Sequence, residues 1–205
     1  MLAVIDYGAG NLRSVLHALN YLTAENVRVV QTARDLKGAE KIILPGVGAF
    51  GAGMQKLREH DLIQPIKDAV FAGTSYLGIC LGMQFLFERS DEMGEHEGLG
   101  ILPGYVTRFP NNLGLKVPHM GWNNVLQTHP HPLWQDIDDD ERFYFVHSYF
   151  CEPIDQLATV ATTNYAGPFT AAIARGNIFA TQFHPEKSHR AGLTLYKNFL
   201  SWMPT

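Results

Sequence analysis

The sequence predicts an open α/β sheet: a parallel core with helices on both faces and antiparallel strands added in its second half. Three observations carry this. Short apolar runs alternate with helical patterns from residue 2 to about residue 90, which is how parallel strands joined by crossover helices read. From residue 104 onward six strand-like stretches follow one another through short connections, which suits antiparallel or mixed pairing. One amphipathic helix, from about Ala191, closes the chain.

In order, residues 2–5 form a short apolar strand closed by Asp6-Tyr7-Gly8-Ala9-Gly10. A helix follows, with Asn11 near its start and Leu12, Val15, Leu16 and Leu19 on one face. Residues 27–30 and 41–44 read as the second and third strands, the third running into Pro45-Gly46-Val47-Gly48-Ala49-Phe50-Gly51. Met54 and Leu57, then Ile63, Ile66, Ala69 and Val70, mark two helical segments leading to the apolar run before Cys80. Residues 104–109, 122–127, 142–148, 157–162, 170–174 and 178–183 are the later strands. The last helix would bury Leu193, Tyr196, Phe199 and Leu200. Asp138-Asp139-Asp140-Glu141 reads as a solvated turn. No repeat or composition break divides the chain, so residues 1–205 are expected to be a single domain.

A chain of 205 residues with 46% apolar and 18% charged residues is ordinary for a globular protein. A net charge of −4 gives no reason to expect nucleic acid or anionic membrane as a partner. Two cysteines are too few for a disulfide framework and suit a reducing compartment. The N-terminal stretch lacks a basic region and a long apolar segment, so a cytoplasmic protein is expected.

The chemistry concentrates in two stretches. In Tyr76-Leu77-Gly78-Ile79-Cys80-Leu81-Gly82-Met83-Gln84, a buried-strand pattern ends in Gly-x-Cys-x-Gly, and a helical pattern continues towards Arg89. This is the thiol counterpart of a nucleophile elbow, whose tight strand-to-helix turn leaves room only for small flanking residues. A sulfur at a helix N-terminus is favoured as thiolate, and the Leu81 N–H is placed to donate to an oxyanion. The alternative is a buried, inert cysteine. In Gln182-Phe183-His184-Pro185-Glu186, at the end of another strand, His184 and Glu186 stand two apart. In an extended segment both would leave one face, Glu186 fixing the imidazole tautomer while the other ring nitrogen faces a nucleophile. Alone, His184 would read as a strand-end histidine and Glu186 as an exposed neighbour of a cap. Together with the Cys80 elbow, they make a thiolate nucleophile and a general acid for an amine leaving group.

Gly78-x-Cys80-x-Gly82-x-Gln84 with His184-Pro185-Glu186 resembles the class I (triad) glutamine amidotransferases. Asp6 to Asn11, Pro45-Gly46-Val47-Gly48, Pro118-His119-Met120-Gly121-Trp122-Asn123, Phe145-Val146-His147-Ser148-Tyr149 and Lys187-Ser188 narrow the resemblance to the glutaminase subunits of imidazole glycerol phosphate synthase. The motifs run from residue 6 to 188. The resemblance implies a flavodoxin-like sheet of the class I amidotransferase type. It implies that Cys80 attacks the side-chain amide of L-glutamine, His184 moves the protons, and Glu186 orients His184. Ammonia would pass to a (βα)8-barrel cyclase subunit in a heterodimer, which makes imidazole glycerol phosphate and aminoimidazole carboxamide ribotide. No metal or cofactor is implied.

The glycines of Pro45-Gly46-Val47-Gly48 let a backbone approach a substrate, or simply make a strand-to-helix turn. By resemblance this is the oxyanion strand, Val47 or Gly48 pairing its N–H with that of Leu81. Gln84 follows Cys80 by one helical turn and can line the same pocket. The resemblance makes it a glutamine ligand, with Gly48, Ser148 and Tyr149 on the other walls, and Glu92 for the ammonium. Glu92 could equally be a solvated residue. Asn11, Met120, Trp122, Tyr144 and Lys187 are expected at the cyclase interface, although Met120 and Trp122 would also suit a core and Lys187 a bare surface charge. Gly8-Ala9-Gly10 lacks the third glycine of a dinucleotide fingerprint, Arg13 standing there. His129 and His131 lack companions for a metal site, and Cys151 is expected to be inert. Ala49 replaces a histidine common in the family without touching the chemistry.

Other readings stay open at this point. One is a glutaminase serving another synthase, which Pro118 to Asn123 argues against. A cysteine peptidase is a second, which the glycine loop and Gln84 fit poorly. The third is a flavodoxin-like binding module without covalent chemistry, in which Cys80 would be unreactive.

Overall fold

The computed structural model describes residues 1–8, 11–22, 27–110 and 114–204. The first half runs β1 (Leu2–Ile5), α1 (Leu12–Leu22), β2 (Val27–Val30), α2 (Ala33–Leu36), β3 (Lys41–Gly46), α3 (Phe50–Glu59), α4 (Ile63–Phe71), β4 (Ser75–Cys80) and α5 (Leu81–Gln84). The second half runs β5 (Arg89–Ser90), β6 (His96–Glu97), β7 (Gly104–Arg108), β8 (His119–Gln127), β9 (Glu141–His147), β10 (Tyr149–Pro153), β11 (Thr159–Asn164), β12 (Pro168–Arg175), β13 (Ile178–Thr181) and α6 (His189–Ser201). Short 3₁₀ turns span Pro132–Trp134, Gln156–Ala158 and Pro185–Lys187.

Nine strands form one sheet in the order β2-β1-β3-β4-β13-β12-β11-β8-β9. The first five pair in parallel, and every pairing from β13 to β9 is antiparallel. A second sheet, β10-β7-β5-β6, sits beside it. Both faces of the parallel part are covered. Side chains alternate along β1, Leu2 and Val4 packing with α1 and α6, Ala3 and Ile5 with the α3–α4 side. Buried anchors are Val15 and Leu19 from α1, Leu195, Tyr196 and Phe199 from α6, and Met54, Leu57, Ile66 and Val70 from α3 and α4.

Several boundaries differ from the sequence reading. The helix expected to run from Leu81 towards Arg89 ends at Gln84. Phe85, Leu86 and Phe87 are all fully buried, which a helix with one solvent face cannot provide, and their carbonyls receive the N–H groups of Leu99, Gly100, Ile101 and Leu102 instead. The strand expected over 157–162 begins at Thr159, because Asp155 accepts from Leu157 N–H and caps a 3₁₀ turn. The last helix begins at His189 and buries Leu195 fully, while Leu193 and Leu200 are only partly covered. β10 and the two-residue β5 and β6 carry too little pattern to be read from sequence. The Asp138 to Asp140 stretch is exposed, as expected. Of Gly8-Ala9-Gly10, residues 9 and 10 lie outside the described residues.

Candidate active site

Cys80 ends the interior strand β4 and is the residue from which α5 starts. Its φ of 54° and ψ of −106° lie where a side-chain-bearing residue is strained, by about 1–3 kcal/mol. The elbow glycines are dictated by space. A Cβ on Gly82 would stand 1.7 Å from the Leu44 carbonyl oxygen, and one on Gly78 would stand 2.5 Å from the Gly82 carbonyl oxygen. That carbonyl is also held by the Tyr76 hydroxyl at 2.7 Å. Because α5 begins at Leu81, the Leu81 N–H has no preceding helical turn to receive it.

His184 comes from the segment after β13, the parallel neighbour of β4. Its Nδ1 donates to Glu186 Oε1 at 2.8 Å, and both side chains are 1% exposed. Nδ1 is therefore occupied by Glu186, leaving Nε2 on the side of Cys80. The pair is not made by an extended segment, as the spacing had suggested. His184 is extended but Pro185–Lys187 is a 3₁₀ turn, which folds Glu186 back onto the ring. The turn is anchored to β9: His184 N–H donates to the Tyr144 carbonyl at 2.9 Å, and the Ser188 hydroxyl bridges the His184 carbonyl and the Tyr144 N–H. α6 presses on it so closely that a Cβ on Gly192 would stand 1.8 Å from the Pro185 carbonyl. Burial pushes His184 down, but the charge of the adjacent Cys80, then Glu186, outweigh it and hold the imidazole at about 10. Nε2 is buried without a hydrogen bond of good geometry in the resting protein, as is common for catalytic contacts before substrate arrives.

A cavity of about 210 Å³ opens at the elbow. Its lining includes Cys80 and Leu81, the glycine-loop residues Val47 and Gly48, and all the expected glutamine contacts: Gln84, Glu92, Ser148 and Tyr149. Gly48 has φ 102°, which only glycine adopts without strain, and it lines this cavity beside Val47. Glu92 is not a solvated residue: its Oε2 accepts the Phe50 N–H at 2.6 Å, supplying the cap that Ala49 cannot give α3. A larger groove, about 1000 Å³, runs between α1 and the segment 185–193, but Cys80 is not in its lining.

The five expected partner residues gather at one end of the molecule. Met120 is 62% and Trp122 36% exposed on the outer face of β8, which excludes the core reading. Trp122 pairs with Tyr144 across β8–β9 and stacks on His189 at 4.8 Å, while Lys187 Nζ sits 5.4 Å over the Tyr144 ring. Asn11 instead points inward and donates to Glu186 Oε1 at 3.3 Å, its own oxygen accepting the Ser14 hydroxyl. Tyr144 likewise serves the interior through its backbone.

The remaining sequence features are structural. His131 caps the Pro132–Trp134 turn, and burial holds it at about 4; His129 bonds the Thr159 carbonyl. Among the described residues no group of three or more His, Cys, Asp or Glu could hold a metal ion. Cys151 is buried on β10, and burial raises its thiol well above the usual range. Sequence reasoning gave no role to Gln182, which is fully buried and places Nε2 3.7 Å from Cys80 Sγ. The signal was its position two before His184, on the same side of the strand end.

Comparison with known proteins identifies the family. The family model of glutamine amidotransferase class-I matches residues 3–202. The imidazole glycerol phosphate synthase subunit HisH of Aromatoleum aromaticum is 49% identical over 98% of both chains. The subunit of that name from Acinetobacter baylyi is 49% identical over 98% of both, and that from Desulfitobacterium hafniense 47% over 99% of this chain and 95% of its own. Among solved structures, PurLQS from Thermotoga maritima superposes with a TM-score of 0.77 at 21% identity, covering 97% of this chain and 96% of that one. A crystal structure titled as a glutamine amidotransferase gives 0.74 at 20%, with the same coverage; these two speak for the fold alone. The chain belongs to the class-I glutamine amidotransferase family and, within it, to the HisH subunits of imidazole glycerol phosphate synthase.

Proposed function

We propose that the chain is the glutaminase subunit of imidazole glycerol phosphate synthase, supplying ammonia for histidine biosynthesis. The observation that supports it most is the buried Cys80 on a positive-φ elbow, coupled to a His184–Glu186 pair, at a cavity sized for one amino acid. The Cys80 thiolate attacks the side-chain amide carbon of L-glutamine, and the carbonyl electrons move onto oxygen. The N–H groups of Leu81 and of Val47 or Gly48 receive that oxyanion. His184, charged at neutral pH, gives its Nε2 proton to the departing ammonia, and the C–N bond breaks to leave a γ-glutamyl thioester. His184, now neutral, takes a proton from water, which attacks the thioester and releases glutamate and the thiolate. Glu186 keeps Nδ1–H bonded throughout. Gln84, Gly48, Ser148 and Tyr149 hold the substrate, with the Glu92 carboxylate for its ammonium. No metal or cofactor takes part.

Met120, Trp122, Tyr144 and Lys187 form the face that docks a (βα)8-barrel cyclase subunit in a heterodimer. Asn11 ties the start of α1, at the same end, to Glu186. The whole chain acts as one amidotransferase domain, in the cytoplasm; among the described residues no helix is long and apolar enough to cross a membrane. The test is glutamate release from glutamine by the chain alone, then with a cyclase subunit and its nucleotide ligand. Strong stimulation by the partner is expected. Full activity without it would contradict the coupling, activity indifferent to it would contradict the pathway, and no activity in any mixture would contradict the chemistry.

A further inference from the structure

Gln84, Gln182 and Cys80 lie on one hydrogen-bonded path that starts at a backbone carbonyl. Gln84 Nε2 lies 3.1 Å from the Tyr149 carbonyl oxygen and 3.2 Å from Gln182 Oε1, and Gln182 Nε2 lies 3.7 Å from Cys80 Sγ. Amide oxygens and nitrogens look alike, so the direction of such a path must be argued from its neighbours. Here it has one solution. A backbone carbonyl can only accept, so Gln84 must turn its NH₂ group to Tyr149. The second proton of that group then needs an acceptor, which makes the near atom of Gln182 its oxygen. Gln182 is left with its NH₂ group towards the sulfur. The reverse orientation would set two donors against each other inside a fully buried site, at a cost of about 1–3 kcal/mol.

The same carbonyl is fixed from its other side. His147 Nδ1 lies 2.8 Å from it and must carry the proton, leaving Nε2 as an acceptor for His119 Nδ1 at 2.9 Å. His119 Nε2 in turn accepts from Asn123 Nδ2 at 3.2 Å. Burial keeps both rings neutral, His119 at about 4 and His147 at about 3, so nothing reverses the order near neutral pH. Tyr149 C=O is thus a pinned acceptor, and the polarity at Cys80 follows from it.

We infer that Gln182 is a further catalytic residue, whose side-chain N–H donates to the Cys80 sulfur and stabilises it as the attacking thiolate. This rests on Cys80 being the glutaminase nucleophile. A donor helps the charged sulfur more than the thiol. The donation also links the pocket to the nucleophile, because Gln84, a proposed substrate contact, holds the amide that points at the sulfur. The other titratable groups around Cys80 are His184 after β13, Tyr7 after β1 and Cys151 on β10, with Glu92, His147 and Tyr149 lining the same cavity; all of them stay in the chain when Gln182 is replaced.

The experiment is the pH profile of Cys80 alkylation by iodoacetamide, in the full chain and in Gln182→Met and Gln182→Glu. Methionine fills the space without a donor, and its profile midpoint should rise by about one unit, with alkylation at pH values below the midpoint slowed about tenfold. Glutamate sets a carboxylate against the thiolate and should raise the midpoint further. Glutamine KM should change less than kcat in the methionine variant. Unshifted midpoints in both variants, with Cys80 still alkylated, would overturn the inference. Should either variant fail to fold, the Gln182 side-chain amide proton in the unaltered protein decides. It should shift with the thiol titration and lose that dependence after alkylation; an amide signal blind to both would overturn the inference. Loss of glutamate release in Cys80→Ala tests the glutaminase reading separately, since the alkylation profile reads the Gln182–sulfur contact whatever the substrate is.

Discussion

The two cysteines mark two regions that differ in everything except burial. Cys80 is 5% and Cys151 1% exposed, and neither forms a disulfide. Cys80 stands at the end of a parallel strand, strained, at the start of a helix, with His184 and Gln182 against it. Cys151 stands inside β10 of the small sheet, paired with Val106 of β7, its thiol raised chiefly by burial. If Cys80 is the nucleophile, its reactivity comes from where the backbone turns and from the groups carried to that turn. The parallel core supplies the elbow and, through β13, the His184 segment. The antiparallel strands supply the Ser148–Tyr149 wall and the outward face of β8 and β9.

Exchanging the two cysteines in turn should give the widest separation. Cys80→Ala should lower glutamate release by at least about 10⁴-fold with the fold retained, since nucleophile and base act as one unit. Cys151→Ala should leave kcat within about twofold and cost about 1 kcal/mol of stability through a small cavity. Steady-state kinetics and urea melts of both proteins check this. Comparable kinetic losses in both would erase the distinction between the two regions.

Gly82→Ala tests the elbow's geometry without touching chemistry. Its Cβ would meet the Leu44 backbone oxygen at 1.7 Å, so the turn must open. Denaturation should show a loss of about 3 kcal/mol or more, together with slower Cys80 alkylation. An unaffected variant would mean that the elbow is looser than described.

The His184 proton sharpens the electrostatic side. Burial lowers its affinity, while Cys80 and Glu186 raise it above the ordinary 6.5 to about 10. The raised value means that His184 contributes stability that is whole below about 6.5 and is lost as pH climbs through about 10. Imidazole NMR should find it charged at neutral pH. In Cys80→Ala, with burial unchanged and the thiolate gone, its pKa should fall. An unchanged value would remove Cys80 from the account of that proton.

The smallest effect concerns the outer end of the triad. Asn11→Ala removes one partly buried donor from Glu186, worth about 1 kcal/mol, so kcat/KM should drop roughly fivefold. Cyclase affinity, measured in parallel, separates this role from contact with the partner. A change in affinity alone would return Asn11 to the interface.

Much of this was legible in the sequence because local spacing dictates it. Gly78-x-Cys80-x-Gly82 encodes a turn that admits no Cβ on either flank, and alternating patterns placed β1 to β4 and both covered faces. The pocket residues Gln84, Ser148 and Tyr149 came from resemblance, and the structure brings them to one cavity. What escaped depends on long-range partners. Nothing near residues 85–87 announces that their carbonyls will receive residues 99–102, so the helix was drawn too long. Glu92 could be read as a substrate contact or as a solvated residue, because its partner, the Phe50 N–H, is 42 positions away. Gln182 was quoted within a motif yet given no role, since only the packed structure shows a sulfur beside its amide.

Cys80, alone of the two buried cysteines, is proposed to be an activated nucleophile, and it lines a cavity of about 210 Å³. Incubation with a glutamine-like chloroketone, followed by peptide mapping, tests it most directly. One adduct is expected, on Cys80, its formation slowed by added glutamine and abolished in His184→Ala. An adduct on Cys151, or a Cys80 adduct that forms at the same rate with and without glutamine, would contradict it.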